Sequence, residues 1–124
     1  MKKHTPGFLN LASDARSRIK EVDVNVVKQM QDERKNFILI DVREDSEWKA
    51  GHLPSAIHLS KGVIERDIEK VIPDRDTPVV LYCGGGFRSA LAADNIQKMG
   101  YGQVVSMWGG YTAWKESGYP IAKS

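Results

Sequence analysis

The segment Val79-Val80-Leu81-Tyr82-Cys83-Gly84-Gly85-Gly86-Phe87-Arg88-Ser89 decides how the chain folds. Pro78 to Tyr82 is a continuous apolar run, the pattern of a strand buried on both faces of a parallel sheet. It runs directly into three glycines. From Phe87 to Met99 the apolar positions Leu91, Ala92, Ile96 and Met99 follow helical spacing, and Gly100 supplies a C-terminal stop. Strand, glycine loop and helix in that order predict one unit of an α/β fold.

The flanking sequence repeats the alternation. Upstream, Ile19 to Val22 predicts a short strand, and Asp23 is placed to cap a helix with Val26, Val27 and Met30 on one face. Phe37 to Ile40 is a second continuous apolar run, ending in Asp41-Val42-Arg43. A loop-rich stretch with Trp48, Gly51 and Pro54 follows, then Ala56 to Leu59 as a brief strand. Gly62 to Ile72 spaces Ile64, Ile68, Val71 and Ile72 as a helix that Pro73 ends. Downstream, Val104 to Met107 predicts the last strand and Tyr111 to Glu116 the last helix. Five strand candidates alternating with helices predict an α/β domain, a mainly parallel five-stranded sheet with helices on both faces. Residues 1–17 carry Pro6, Gly7, Asn10 and Ser13 with little apolar periodicity, which predicts a loosely packed N-terminal arm before a domain at 18–124.

Composition narrows the function. The 124 residues suit one domain, and 41% hydrophobic with 27% charged residues is ordinary for a folded soluble protein. Eighteen Lys and Arg against 16 Asp and Glu give a net charge of +2, too weak a bias to imply nucleic acid or an anionic membrane surface. No stretch approaches the ~20 apolar residues of a membrane span. No secretion signal is read at the N-terminus, because Asn10, Ser13, Asp14 and Arg16 interrupt any apolar run. The single cysteine, Cys83, excludes an internal disulfide, a multi-cysteine zinc site and a CxxC pair. A reducing cytoplasm is the expected setting for it.

The chemistry is expected where strand carboxyl ends meet helix N-termini, the ligand position of open parallel sheets. Cys83 sits there, with four residues between it and Arg88. Three glycines let the backbone curl tightly and turn successive N–H groups inward as an anion nest, and the following helix adds its positive end. An ordinary thiol is mostly protonated at pH 7, whereas amide donors and a helix N-terminus favour the thiolate. Cys83 is the expected nucleophile. The plainer reading makes it a small apolar residue at a strand end and the glycines a turn, but Cys, three glycines and Arg at the mouth of a buried strand form a narrower coincidence.

Four pieces of sequence carry a resemblance: Leu39 to Glu44; Gly51 to His58; Cys83 to Ser89; and Trp108 to Trp114 with Gly118-Tyr119-Pro120. In this order, over roughly residues 19 to 122, the chain resembles the rhodanese family, in its single-domain sulfurtransferase form. The resemblance implies that Cys83 takes a sulfane sulfur from a small anionic donor such as thiosulfate. The resulting persulfide passes its sulfur to cyanide or a thiol, protein thiols included. It further implies that Gly84, Gly85, Gly86, Phe87, Arg88 and Ser89 bind substrate, that Asp41 and Arg43 brace the loop, and that no metal or organic cofactor takes part. A monomer or homodimer is expected. His52 and His58 fall in a segment with a structural role in the family, and Trp108 is expected beside the loop. Arg88 either faces an incoming anion or turns back onto an acid such as Asp41 or Glu47. Two alternatives remain beside sulfur transfer. Cdc25-type phosphatases, which share this fold, place five residues between Cys and Arg and so form a wider cradle; this puts phosphatase or arsenate reductase chemistry second. Non-catalytic modules of the family usually lack the cysteine, which this chain keeps.

Overall fold

A computed structural model of the chain describes residues 4–123. The element order is α1 (Pro6–Arg16), β1 (Lys20–Val22), α2 (Val24–Asp32), β2 (Ile38–Asp41), α3 (Asp45–Ala50), β3 (Ile57–His58), α4 (Ile64–Val71), β4 (Val79–Tyr82), α5 (Phe87–Lys98), β5 (Val104–Met107) and α6 (Gly110–Glu116). The five strands form one sheet in the order β1-β5-β4-β2-β3, and every neighbouring pair is parallel. The predicted fold class is the observed one.

Strand alternation sorts the core into two layers. Val79, Leu81 and Cys83 face one side, where Ile64 and Ile68 of α4 and Ala92, Ala93 and Ile96 of α5 cover them. Val80 and Tyr82 face the other, against Val24 and Val27 of α2 and Trp114 of α6. Successive side chains of a strand point to opposite faces, so a strand covered on both sides needs every position apolar. All four residues of β4, the central strand, are buried.

Asp23 caps α2 as its position suggests, its side chain accepting from the Val26 N–H. Two positions assigned to helix core stripes differ: Val26 and Val71 are exposed, while Val24 and Val27 are the buried residues of α2. Two helices were not anticipated. α3 buries no residue and so carries no apolar stripe; it is held by a capping box in which Glu44 and Glu47 exchange side-chain and backbone hydrogen bonds.

α1 corrects the expectation of a loosely packed arm. It packs on α5 through Ala12 and Ala15, both fully buried or nearly so. Alanines spaced i, i+3 let two helices approach closely without producing a large apolar signature. Just beyond α1, Arg18 clasps Asp94 of α5 with two hydrogen bonds of 3.0 and 2.7 Å. If this contact belongs to the packed domain, Ala12→Leu overfills it and costs about 1–3 kcal/mol. A thermal melt checks this, since the same substitution on a loose arm would leave the midpoint unchanged.

Candidate active site

The loop after β4 takes its shape from its carbonyls. The Tyr111 N–H donates to the Cys83 carbonyl at 2.8 Å, Thr112 to Gly84 at 3.0 Å and Gly109 to Gly85 at 3.0 Å. All three donors belong to the turn and first residues of α6. In a planar trans peptide the C=O of one residue and the N–H of the next point in opposite directions. Pinning these carbonyls toward α6 therefore turns the N–H groups of Gly84, Gly85 and Gly86 away from it. The Gly86 N–H meets the Cys83 Sγ at 3.0 Å. The N–H groups of Gly84, Gly85, Phe87, Arg88 and Ser89 have no acceptor among the described residues. Unpaired N–H groups gathered at a helix start are the kind of donors with which a backbone holds an anion.

Glycine is required where the loop meets its support. Gly86 has φ of +120°, and a Cβ there would lie 2.7 Å from the Trp108 ring. Gly110 has φ of +56°, and a Cβ added there would run into the Cys83 carbonyl oxygen. The second contact is backbone against backbone and cannot be relieved by a side-chain shift.

Cys83 is buried, with 1% of its surface exposed. Its Sγ lies 3.5 Å from the Ser89 Oγ, which in turn is 2.7 Å from the Ser106 Oγ. Arg88 turns back. Its guanidinium holds the Glu47 carboxylate through two bonds of 2.8 and 3.1 Å and lies over Gly84. The hydrogen bonds from Arg88, working against partial burial, bring Glu47 down from the ordinary value of 4.5 to about 2.

Asp41 and Arg43 lie at the end of β2 and are both buried. Arg43 Nη2 reaches Asp41 Oδ2 at 2.8 Å and the Gly51 carbonyl at 2.6 Å, and the Tyr82 hydroxyl donates to Asp41 Oδ2 at 2.7 Å. The Arg43 guanidinium lies 4.1 Å from the centre of the Tyr111 ring. The pair thus touches Tyr82, immediately before Cys83, and Tyr111, whose N–H holds the Cys83 carbonyl. Burial and the nearby Asp41 charge push the Tyr82 phenol well above its ordinary range, so it remains a donor to Asp41. His52 and His58 are engaged through backbone: one ring nitrogen of His52 bonds the Trp48 carbonyl at 3.0 Å and one of His58 the Arg43 carbonyl at 2.7 Å.

Trp108 stands beside the loop, its ring edge-on to Phe87 with centroids 5.4 Å apart. The same Phe87 ring meets His4 at 4.9 Å and Phe8 at 6.2 Å, and Arg16 lies over Trp108 at 3.7 Å. α1 and the residue before its cap therefore form part of the wall around the loop. Sequence reasoning missed this, because nothing local to Phe8 indicates which loop it meets. Three clefts of about 250 to 290 Å³ open elsewhere on the surface, and residues 83–89 line none of them.

A sequence model of the Rhodanese-like domain matches residues 23–117. The chain belongs to the rhodanese-like family. It is 33% identical over 103 residues to a sulfurtransferase of Allochromatium vinosum, covering 83% of this chain and 94% of that one. It is 30% identical over 82 residues to the thiosulfate sulfurtransferase GlpE of Coxiella burnetii, covering 66% and 75% of the two chains. Among solved structures, a Rhodopseudomonas palustris protein of unknown function, described as a possible tyrosine phosphatase, superposes with a TM-score of 0.85 at 27% identity, covering 98% of each chain. α1 lies outside the family-matched stretch.

Two substitutions check how the site is held. Gly110→Ala forces a left-handed alanine, costing about 1–2 kcal/mol before the clash with the Cys83 carbonyl is counted. The expected result is a lower melting midpoint together with altered alkylation of Cys83 by iodoacetamide; parental values of both would contradict the packing described. Glu47→Gln removes the charge and one of the two acceptor oxygens that hold Arg88. A carboxylate depressed in the folded state stabilises fully above its unfolded value and loses that contribution as pH falls through the folded one. The parent's advantage in melting midpoint over Glu47→Gln is therefore expected near neutrality and should fade between about pH 4.5 and 2.

Proposed function

We propose that this chain is a sulfurtransferase that carries a sulfane sulfur on Cys83, with thiosulfate as donor and cyanide or a thiol, including a protein thiol, as acceptor. The observation that carries this reading is the loop around the one cysteine, where the Gly86 N–H meets Sγ and the neighbouring amides have no acceptor among the described residues, with four residues between Cys83 and Arg88. The names of the A. vinosum and C. burnetii relatives support it.

The chemistry needs little else. The Cys83 thiolate attacks the outer sulfur of thiosulfate; a new bond forms at Sγ, the sulfur–sulfur bond of the donor breaks, and sulfite leaves with the electron pair. The terminal sulfur of the Cys83 persulfide then holds the negative charge. Amide donors around it stabilise that charge without a proton transfer, as preorganised dipoles do for any developing anion. Cyanide or a thiolate attacks the terminal sulfur, the bond to Sγ breaks, and its electron pair returns to Cys83. Neither step requires a general base, and His52 and His58 have no part in them. Gly84 to Ser89 form the cradle. Asp41 and Arg43 brace it through Tyr82 and Tyr111, and losing either partner of that buried pair leaves an uncompensated charge.

One observation favours a second reading, the phosphatase description of the R. palustris neighbour. A phosphoryl group brings three oxygens that a free guanidinium usually helps to hold. Here the four-residue spacing shortens the ring, and Arg88 is taken up by Glu47. Intact mass spectrometry after incubation with thiosulfate separates the readings. The expected result is a gain of one sulfur, absent in Cys83→Ser, with that variant folded and inactive in thiosulfate:cyanide transfer. No gain in the parent, or hydrolysis of an aryl phosphate as fast as sulfur transfer, would overturn the assignment.

A further inference from the structure

β5 reads Val104-Val105-Ser106-Met107, and Ser106 is a fully buried hydroxyl in an otherwise apolar strand. It shares the α5-facing side with Val104, as strand alternation requires. Buried hydroxyls are kept only where they are hydrogen-bonded. Among the described residues its one partner is the Ser89 Oγ at 2.7 Å, and Ser89 is itself fully buried in the first turn of α5.

Proton accounting sets the direction. If Ser89 donated to Ser106, the Ser106 proton would have no acceptor among the described residues. If Ser106 donates to Ser89, both oxygens are served: the Ser89 Oγ also accepts from the Cys83 thiol, 3.5 Å away, and its own proton is free to turn to Sγ once that sulfur is a thiolate and can only accept. A serine in the first turn of a helix otherwise has a competing choice, rotating to bond a backbone carbonyl one turn back. A donor fixed on its oxygen removes that freedom and polarises its O–H.

We propose that Ser106 is a positioning residue for the sulfur site, the outer member of a two-hydroxyl relay that aims the Ser89 proton at the Cys83 sulfur. The relay acts when negative charge lies on Sγ, that is in the thiolate and as the bond to the terminal sulfur breaks. The second of these rests on the sulfur-transfer reading above; the first does not. In the release step the electron pair of the breaking bond comes to rest on Sγ, and a hydrogen bond that strengthens as the charge arrives favours that step over binding of the donor.

The test follows iodoacetamide alkylation of Cys83 against pH in the parent, Ser106→Ala, Ser106→Thr, Ser89→Ala and the double alanine variant. Single-turnover release of sulfur to cyanide is measured on the same proteins after loading with thiosulfate. Ser106→Ala is expected to displace the alkylation profile to the alkaline side and to slow release about three- to fivefold, as for loss of one modest hydrogen bond. Ser106→Thr, which keeps the hydroxyl, restores both. In the Ser89→Ala background, removing Ser106 adds nothing, because it acts only through Ser89. A Ser106→Ala profile that superposes on the parent's, a Ser106→Thr variant as impaired as Ser106→Ala, or additive effects in the double variant would each overturn the relay. Failure of the parent to gain sulfur in the mass measurement would instead strike at the sulfur-transfer reading, and the alkylation profiles would still decide the relay.

Discussion

Three amides at the start of α6 hold three carbonyls of the loop after β4, and the rest of the site depends on that contact. A loop of three glycines has no intrinsic reason to present its N–H groups to one side, since glycine visits either hand of the backbone with similar ease. Peptide planarity converts the direction of the carbonyls into the direction of the amides. The glycines supply the freedom and α6 removes it. The absence of a Cβ at Gly110 is what allows the two backbones to come close enough for this to happen.

That contact works only because the strands deliver both partners to one end of the sheet. In the order β1-β5-β4-β2-β3, the strand bearing Cys83 lies between the strand that leads to α6 and the strand that ends in Asp41. Tyr82 links the two sides: its ring is in the core layer beneath α6, and its hydroxyl serves Asp41 while accepting from the Leu53 N–H. The buried Asp41–Arg43 pair is weak evidence of stability, given the cost of removing two charges from water. Its contacts are specific: Asp41 accepts from the hydroxyl of Tyr82, the residue before Cys83, and Arg43 lies over the ring of Tyr111, whose N–H holds the Cys83 carbonyl.

The fold was legible in the sequence because a parallel sheet covered on both faces leaves unbroken apolar runs, as at Pro78 to Tyr82 and Phe37 to Ile40. The helices were legible only in part. α3 buries nothing, and α1 docks through two alanines while its Leu11 stays exposed, so neither showed a stripe. Val26 and Val71 fit a core stripe yet are exposed for the converse reason: helical spacing marks a face without saying which residues at its edge are covered. Within the site, the cysteine and its loop were readable as residue types and spacings, whereas the choice of Glu47 over Asp41 or open solvent as the partner of Arg88 was not, because it depends on where α3 lies. The aim of the loop amides was not, because it is set by Gly109, Tyr111 and Thr112, far along the chain. The same holds for Ser106, whose partner lies on another element, and for Phe8, which meets Phe87 only after α1 has docked on α5.

The solitary cysteine also limits what can become of a sulfur once it is bound. Within these 124 residues no second thiol exists to attack a Cys83 persulfide and expel the sulfur as sulfide while closing a disulfide. Burial of the thiol beneath its own loop keeps the cysteines of other copies at a distance as well. On the sulfur-transfer reading proposed above, a sulfur held there would have no internal exit among these residues, and one equivalent per chain would stay until an outside nucleophile collects it. On that same reading the molecule would be a one-sulfur store whose discharge is decided by its visitor.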